Sequence, residues 1–325
     1  MTERDNLYQT PYTDLALEAT AAVRGDAHTE IPGVRMNEER TDAATVSWVE
    51  VFSPEGEQVI GKPIGNYITI DSPGLRRRNR DLQEQVGKVL VDQLVKLLDL
   101  GPKDSALIVG LGNWNATPDA LGPRVTEKLL ITRHLHDFVP ADVAGGLRKV
   151  AAISPGVLGI TGIETAEIIQ GIVEKTKPSV VIAVDALAAR SVERIGTTVQ
   201  LADTGINPGS GIGNQRKGLN KATLGVPVVA IGVPTVVHAS TIAHDTMEAL
   251  HLQFQGQKAF FQLFNSPQER REMINQVISP AVGELVVTPK EIDDLIEDMS
   301  KVIAGALNAV LHNSISSQEL LKYIN

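Results

Sequence analysis

Val180-Val-Ile-Ala-Val-Asp185-Ala-Leu-Ala-Ala-Arg-Ser191 is the stretch that decides the fold. Its unbroken apolar run reads as a strand buried on both faces, the kind found in parallel sheets. A second stretch matches it: Ala106-Leu-Ile-Val-Gly-Leu-Gly-Asn-Trp-Asn-Ala-Thr-Pro-Asp119-Ala-Leu. Each carries an aspartate after its apolar run, and each aspartate opens the tripeptide Asp-Ala-Leu. Asp119 and Asp185 lie 66 residues apart, which leaves room for about one βαβ unit. In an open parallel sheet the crevice at the carboxyl ends of the strands is where ligands bind. A carboxylate beside buried strands must be paired or neutralised. Two of them brought together repel, so one holds a proton while the other stays ionised. The ionised group can take a proton from water, and the protonated one can donate to a carbonyl or a leaving amine. The plainer reading of either aspartate alone is a helix cap or turn residue. Two in equivalent contexts favour a catalytic pair.

Working outward, strands are expected at 44–52, 66–71, 105–111, 148–153, 180–185, 197–202 and 226–232. Helices are expected at 14–24, 79–100, 121–135, 163–176, 239–251, 267–278 and 289–312. The strand at 197–202 follows Asp185 too soon for a full crossover helix, which suggests a mixed sheet. No linker divides the 325 residues and no repeat is visible. The expectation is one α/β domain, a mostly parallel or mixed central sheet flanked by helices, with a helical carboxyl-terminal appendage over 253–325. Four of the six Phe residues (Phe254, Phe260, Phe261, Phe264) fall in that last region. They read as packing, or as an interface between subunits.

Composition narrows the function. The net charge is −9, which argues against a broad surface for nucleic-acid phosphates. There is no cysteine, so disulfides, thiolate catalysis and cysteine-ligated zinc are excluded. No run approaches a membrane span, and the polar start Met-Thr-Glu-Arg-Asp-Asn lacks a signal-peptide core. The expected location is cytoplasmic.

Competing chemistries fail on motif. There is no His-Glu-x-x-His helix. Ser154, Asp185 and His238 stand in hydrolase order, but the residue after the serine is Pro155, which has no N–H for an oxyanion. Gly110-Leu-Gly112 lacks the third glycine of a dinucleotide fingerprint, Asn115 standing in its place. The loop Gly205-Ile-Asn-Pro-Gly209-Ser-Gly211-Ile-Gly-Asn-Gln-Arg-Lys217 is not a Walker loop. Its amides could instead face a substrate or an oxyanion. His134 and His136 point in different directions on a helix and make a poor metal pair. His238 with the two aspartates would form a metal set.

Several segments together resemble the germination proteases of spore-forming bacteria: Val109-Gly-Leu-Gly-Asn, Thr117-Pro-Asp-Ala-Leu-Gly-Pro123, Leu129-Leu-Ile-Thr-Arg-His-Leu135, Pro155-Gly-Val, Thr161-Gly-Ile-Glu-Thr165, Asp185-Ala-Leu-Ala-Ala-Arg-Ser191, Pro208-Gly-Ser-Gly and Gly232-Val-Pro-Thr-Val-Val237. They run collinearly over about residues 10–250. The resemblance implies a phosphorylase/hydrolase-like fold related to hydrogenase-maturation endopeptidases. It implies an atypical aspartic-type endopeptidase, active without a cofactor, whose two essential aspartates correspond to Asp119 and Asp185. It implies a zymogen, a homotetramer in the spore core, and small acid-soluble spore proteins as substrates. Such substrates are cut after Glu in Thr-Glu-(Ile/Phe)-Ala-x-Glu. This chain carries a near copy, Thr13-Asp14-Leu15-Ala16-Leu17-Glu18, so residues 1–14 are expected to be a propeptide removed by cleavage between Asp14 and Leu15. One methylene less at Asp14 is worth about 1–3 kcal/mol of pocket discrimination, giving a slow substrate. Acid would supply the proton that the aspartate pair shares. Arg190, Arg194 and Lys217 are candidates to meet the substrate Glu, with Gly209 and Gly211 as amide donors. A metal-dependent maturation-type protease built on Asp119, Asp185 and His238 is the alternative. A non-catalytic protein that sequesters spore proteins is another.

Overall fold

The computed structural model describes residues 13–24, 30–137, 147–207, 217–253 and 285–312. Its framework is one mixed sheet with strands β1 (Val34–Arg40), β2 (Thr45–Val51), β3 (Gly65–Asp71), β4 (Ala106–Gly110), β5 (Val150–Ile153), β6 (Val180–Ala189), β7 (Thr198–Ala202), β8 (Val228–His238) and β9 (Val286–Val287). The spatial order is β1-β2-β3-β7-β8-β6-β4-β5, with β9 on the far end of β8. Strands β5, β4, β6 and β8 are mutually parallel. Strands β7, β3, β2 and β1 continue the sheet as an antiparallel wing. The short step from β6 to β7 is therefore what turns a parallel sheet into a mixed one, as its length implied.

The helices are α1 (Ala16–Arg24), α2 (Pro54–Ile60), α3 (Arg80–Leu98), α4 (Leu121–Glu127), α5 (Leu158–Thr161), α6 (Thr165–Thr176), α7 (Lys221–Leu224), α8 (Ala239–Gln253) and α9 (Ile292–Leu311). Alternation along the central strands sorts them between the two faces. Ile108, Ile182 and Val184 pack with Val86, Leu90 and Leu94 of α3, Leu121 and Val125 of α4, and Ile303 and Leu307 of α9. Leu107, Val109, Val181 and Ala183 face the other way, onto Ala166, Ile169 and Val173 of α6. Each long helix is amphipathic, and burying its stripe is what holds it to the sheet. A third cluster joins Ala16, Val49, Val51, Tyr67 and Ala202 beneath α1. Among the described residues no helix is long and apolar enough to cross a membrane.

The structure departs from the expected elements in several places. Strand β1 is not among the expected strands: Val-Arg-Met-Asn-Glu-Glu-Arg is an exposed, charged edge, which blunts aggregation and also hides the strand signal. The helix expected over 121–135 ends at Glu127, and Arg133–Asp137 forms a separate 3₁₀ turn. Helix α1 starts at Ala16 rather than 14 because the Asp14 N–H and carbonyl are bonded to Ala188 and Lys62, leaving Leu15 to accept the first helical bond from Ala19. The expected helix at 267–278, the Phe-rich segment, Gly209 and Gly211 all lie outside the described residues.

Candidate active site

Asp185 does not end its strand. The residues Ala186-Leu-Ala-Ala stay apolar, and β6 continues to Ala189, paired to β8 as far as Val237 across a bulge at Leu187/Ala188. Strand β4 stops at Gly110, opposite Val184. Beyond that point β6 has a free edge, and Asp185 opens it. The residue is 6% exposed, and its carboxyl accepts the Ala186 N–H at 2.9 Å.

Asp119 reaches the same place from the loop after β4. It closes a 3₁₀ turn, Thr117–Asp119, and its Oδ2 accepts the Asn113 N–H at 2.8 Å. Gly112 makes this possible. It sits at φ +112°, and a Cβ there would overlap the backbone oxygen of Asp119. Gly110 and Gly122 let the start of α4 press against β4, because a Cβ on either would strike the other's backbone. The glycines therefore serve a close turn and a close packing contact.

Both aspartates line one cavity of about 570 Å³, shared with Asp14, Lys62, Tyr67, Gln200 and Thr235. Burial is the main force raising the Asp185 pKa well above its usual value. The Asp119 carboxylate adds to it and Asp14 adds a little more, while the Ala186 N–H opposes them. Asp185 thus holds a proton more tightly than an ordinary aspartate does. The hydroxyl of Tyr67, on the cavity wall, is pushed up to about 12, chiefly by burial, so it stays neutral.

The free edge of β6 is occupied by the chain's own Thr13–Glu18. The Asp14 N–H donates to Ala188 O at 3.0 Å, and Asp14 Oδ2 accepts the Ala188 N–H at 2.8 Å. One main-chain bond and one side-chain bond thus fasten Asp14 to that edge, just before the helix begins at Ala16. Leu15 and Ala16 are fully buried. Glu18 fills a socket: its Oε2 accepts the Arg190 N–H at 2.7 Å, and its Oε1 accepts the Ser191 N–H at 3.0 Å. Arg194 Nε lies 3.2 Å from Oε1. The Thr13 hydroxyl bonds the same carboxylate.

Of the sequence-derived candidates, Asp119, Asp185 and Asp14 converge on the cavity, with Leu15 buried beside them. Arg194 brings its guanidinium to the acidic residue at 18. Arg190 contributes its backbone N–H, while its side chain pairs with Asp245 at 2.9 Å. Lys217 is exposed and does not line the cavity. His238 is not brought in. It ends β8 opposite Val286, six residues beyond Gly232, which pairs with Asp185. At about 3.3 Å per residue that is roughly 20 Å along the strand. Among the described residues no three His, Asp or Glu side chains gather as a metal set. Lys62 and Gln200, both on the cavity wall, carried no motif. A glutamine in the middle of the buried run Thr-Val-Gln200-Leu-Ala could have marked Gln200, and no comparable signal marked Lys62.

A family model described as germination protease matches residues 12–260 and 256–324. The germination protease of Caldanaerobacter subterraneus subsp. tengcongensis is 48% identical over 314 residues, 95% of this chain and 96% of the relative. That of Clostridium tetani is 45% identical, covering 96% of this chain and 99% of its own. That of Bacillus velezensis is 45% identical, covering 96% of each. Among solved structures, the NiFe-hydrogenase maturation protease HycI of Thermococcus kodakarensis KOD1 aligns at TM-score 0.32 and 17% identity, over 67% of this chain and 98% of that one. On family-model and sequence matches that span nearly its whole length, the chain belongs to the germination protease family.

Proposed function

We propose that the cavity is the proteolytic centre and that Asp119 and Asp185 activate water within it. The ionised Asp119 takes a proton from the attacking water, and the protonated Asp185 donates one to the leaving amine. The substrates are small acid-soluble spore proteins, cut after Glu in Thr-Glu-(Ile/Phe)-Ala sites. Residues 1–14 act as a propeptide, and the rest of the chain is one protease domain that works as a homotetramer in the spore core. The observation that carries this reading is the register of Thr13–Glu18. This substrate-like segment lies along the free edge of β6 with Asp14 on the wall of the aspartate cavity.

That register also divides the work of specificity. The carboxylate before the proposed cut meets the Ala188 N–H. The carboxylate four residues after it meets Arg194 and the amides of 190 and 191. A substrate of the form Thr-Glu-Ile-Ala-x-Glu presents acids at the same two places. Low pH favours maturation because Asp14 brings a third carboxylate to a pair that already resists full ionisation.

The test is Asp119→Asn and Asp185→Asn in the full-length chain. Each is expected to abolish self-cleavage at Asp14–Leu15 and digestion of a Thr-Glu-Ile-Ala peptide, followed by mass spectrometry. Wild-type rates in either variant, or a matured chain beginning at a residue other than Leu15, would refute the reading.

A further inference from the structure

Two side chains hold the peptide group between Asp14 and Leu15. Lys62 Nζ donates to the Asp14 carbonyl oxygen at 3.0 Å and to that of Thr13 at 3.2 Å. Gln200 Nε2 donates to the same Asp14 oxygen at 3.2 Å. Its Oε1 accepts the Ala16 N–H at 2.6 Å. The amide of Gln200 therefore straddles the bond, gripping the carbonyl before it and the N–H one residue beyond Leu15. The Asp14 carbonyl oxygen receives two donors, one of them cationic, on the wall of the cavity that holds Asp119 and Asp185.

Neither side chain is there by default. Gln200 is 8% exposed, in the middle of β7 between Val199 and Leu201. A buried amide is costly unless it is bonded at both ends. Lys62 is half-buried in the turn between α2 and β3. Desolvation lowers its pKa, against the upward pull of Asp14 and Glu18. An ammonium drawn out of water in this way gains more from a new negative charge nearby than one at the surface.

Hydrolysis creates such a charge. When water oxygen adds to the carbonyl carbon, the π electrons move to the carbonyl oxygen. Two carboxyl groups that shuttle protons do not supply a fixed positive field for it. We propose that Lys62 and Gln200 are the oxyanion-binding pair of this protease. The inference rests on the reading of Asp14–Leu15 as the bond that is cut. In the full step, the water proton goes to Asp119 and the oxyanion forms against Lys62 and Gln200. Collapse then expels the Leu15 nitrogen, which takes a proton from Asp185. Water is consumed, and the products are the Asp14 carboxyl and the Leu15 amine. The hydrogen bonds from Lys62 and Gln200 reach only main-chain atoms, so any peptide bound in this register offers them the same oxygen. That suits a machinery shared between the propeptide and outside substrates.

The rival explanation is that the two residues merely tether the propeptide. Lys62→Met, Lys62→Arg and Gln200→Glu in the full-length chain separate the two. For each variant the first-order rate of self-cleavage is measured by mass spectrometry, and docking of residues 13–20 by amide hydrogen exchange. Loss of one oxyanion donor costs about 10²–10³-fold in rate. Lys62→Met is expected to fall in that range while the protection of residues 15–20 changes less than about threefold, and Lys62→Arg, which keeps a cation, to recover part of the loss. Gln200→Glu keeps the acceptor for the Ala16 N–H and removes the donor to the Asp14 carbonyl. It is expected to slow cleavage similarly and still yield a chain starting at Leu15. Unchanged rates overturn the proposal, as do rate losses matched by equal losses of protection. The Asp119→Asn and Asp185→Asn variants report separately. Wild-type cleavage there refutes the aspartate mechanism and says nothing against Lys62.

Discussion

Glu18→Gln should loosen the whole segment that crosses the cavity. Both carboxylate oxygens of Glu18 are committed: one to the Arg190 N–H, the other to the Ser191 N–H and to Arg194 Nε. The residue is 8% exposed. A glutamine keeps one oxygen and turns an NH₂ group toward a backbone N–H, leaving a buried donor unsatisfied at a cost of about 1–3 kcal/mol. The ion pair with Arg194 is lost as well. That guanidinium is 21% exposed and keeps Asp71 at 3.5 Å, so this part is worth about 1 kcal/mol after solvent screening. Together the change removes about 3 kcal/mol, which corresponds to roughly a hundredfold in the docked population. The assay is maturation at fixed acid pH, with amino-terminal sequencing of the product and a thermal melt of the unmatured chain. The expected result is slower maturation, by up to that factor, and a lower melting temperature. Arg194→Ala combined with Glu18→Gln should cost less than the sum of the two, because they share a contact. A Glu18→Gln chain that melts and matures like the wild type would show that the socket does not hold the segment.

Asp185→Asn should be inactive yet more stable at neutral pH, as read by urea or thermal unfolding. The folded pKa of Asp185 lies above its ordinary value of 3.8, so the native state binds the proton more tightly than the unfolded chain does. Stability from this group is then fully present below that ordinary value and is lost as pH rises toward the folded pKa. Each tenfold difference in proton affinity between the folded and unfolded chain is worth about 1.4 kcal/mol, and the advantage of the Asn variant should vanish in acid. Gly112→Ala, at φ +112° against the Asp119 backbone, should cost about 2–5 kcal/mol in strain and overlap and displace Asp119, stopping self-cleavage. Gly87→Ala in α3, where a Cβ meets nothing within 4 Å, should instead stabilise by about 0.5–1 kcal/mol.

The parallel strands were legible because burial on both faces leaves a dense apolar run, and the two aspartates stood out against it. The exact place of Asp185 was not legible. An acid within an apolar run looks like the end of a strand, and only the early stop of β4 explains why the run can continue past it with one edge free. Strand β1 was invisible because an exposed edge has no buried face to write a pattern. Thr13–Glu18 matched the substrate consensus that the family resemblance implies, but its position in space was not legible. Lys62 and Gln200 stand 138 residues apart in the chain and meet only because β3 and β7 are neighbours. No local spacing encodes that meeting. Arg190 meets Glu18 of its own chain through its main chain rather than its charge, which no sequence pattern announces.

A cut after Asp14 frees only what precedes it. Leu15 and Ala16 stay buried, the Ala16 N–H stays on Gln200, and Glu18 loses only the Thr13 hydroxyl from its socket, since the other bonds use no atom ahead of the cut. On the proposed mechanism the new terminus would be a product fastened inside its own site. A short tether gives it an effective concentration in the millimolar range, against which a free peptide competes poorly. Hydrolysis alone would leave an enzyme that is severed but still plugged. Turnover on another chain would then need a second event, the withdrawal of Leu15 with the first turn of α1. The speed of that departure, rather than of the cut, would set how abruptly activity appears.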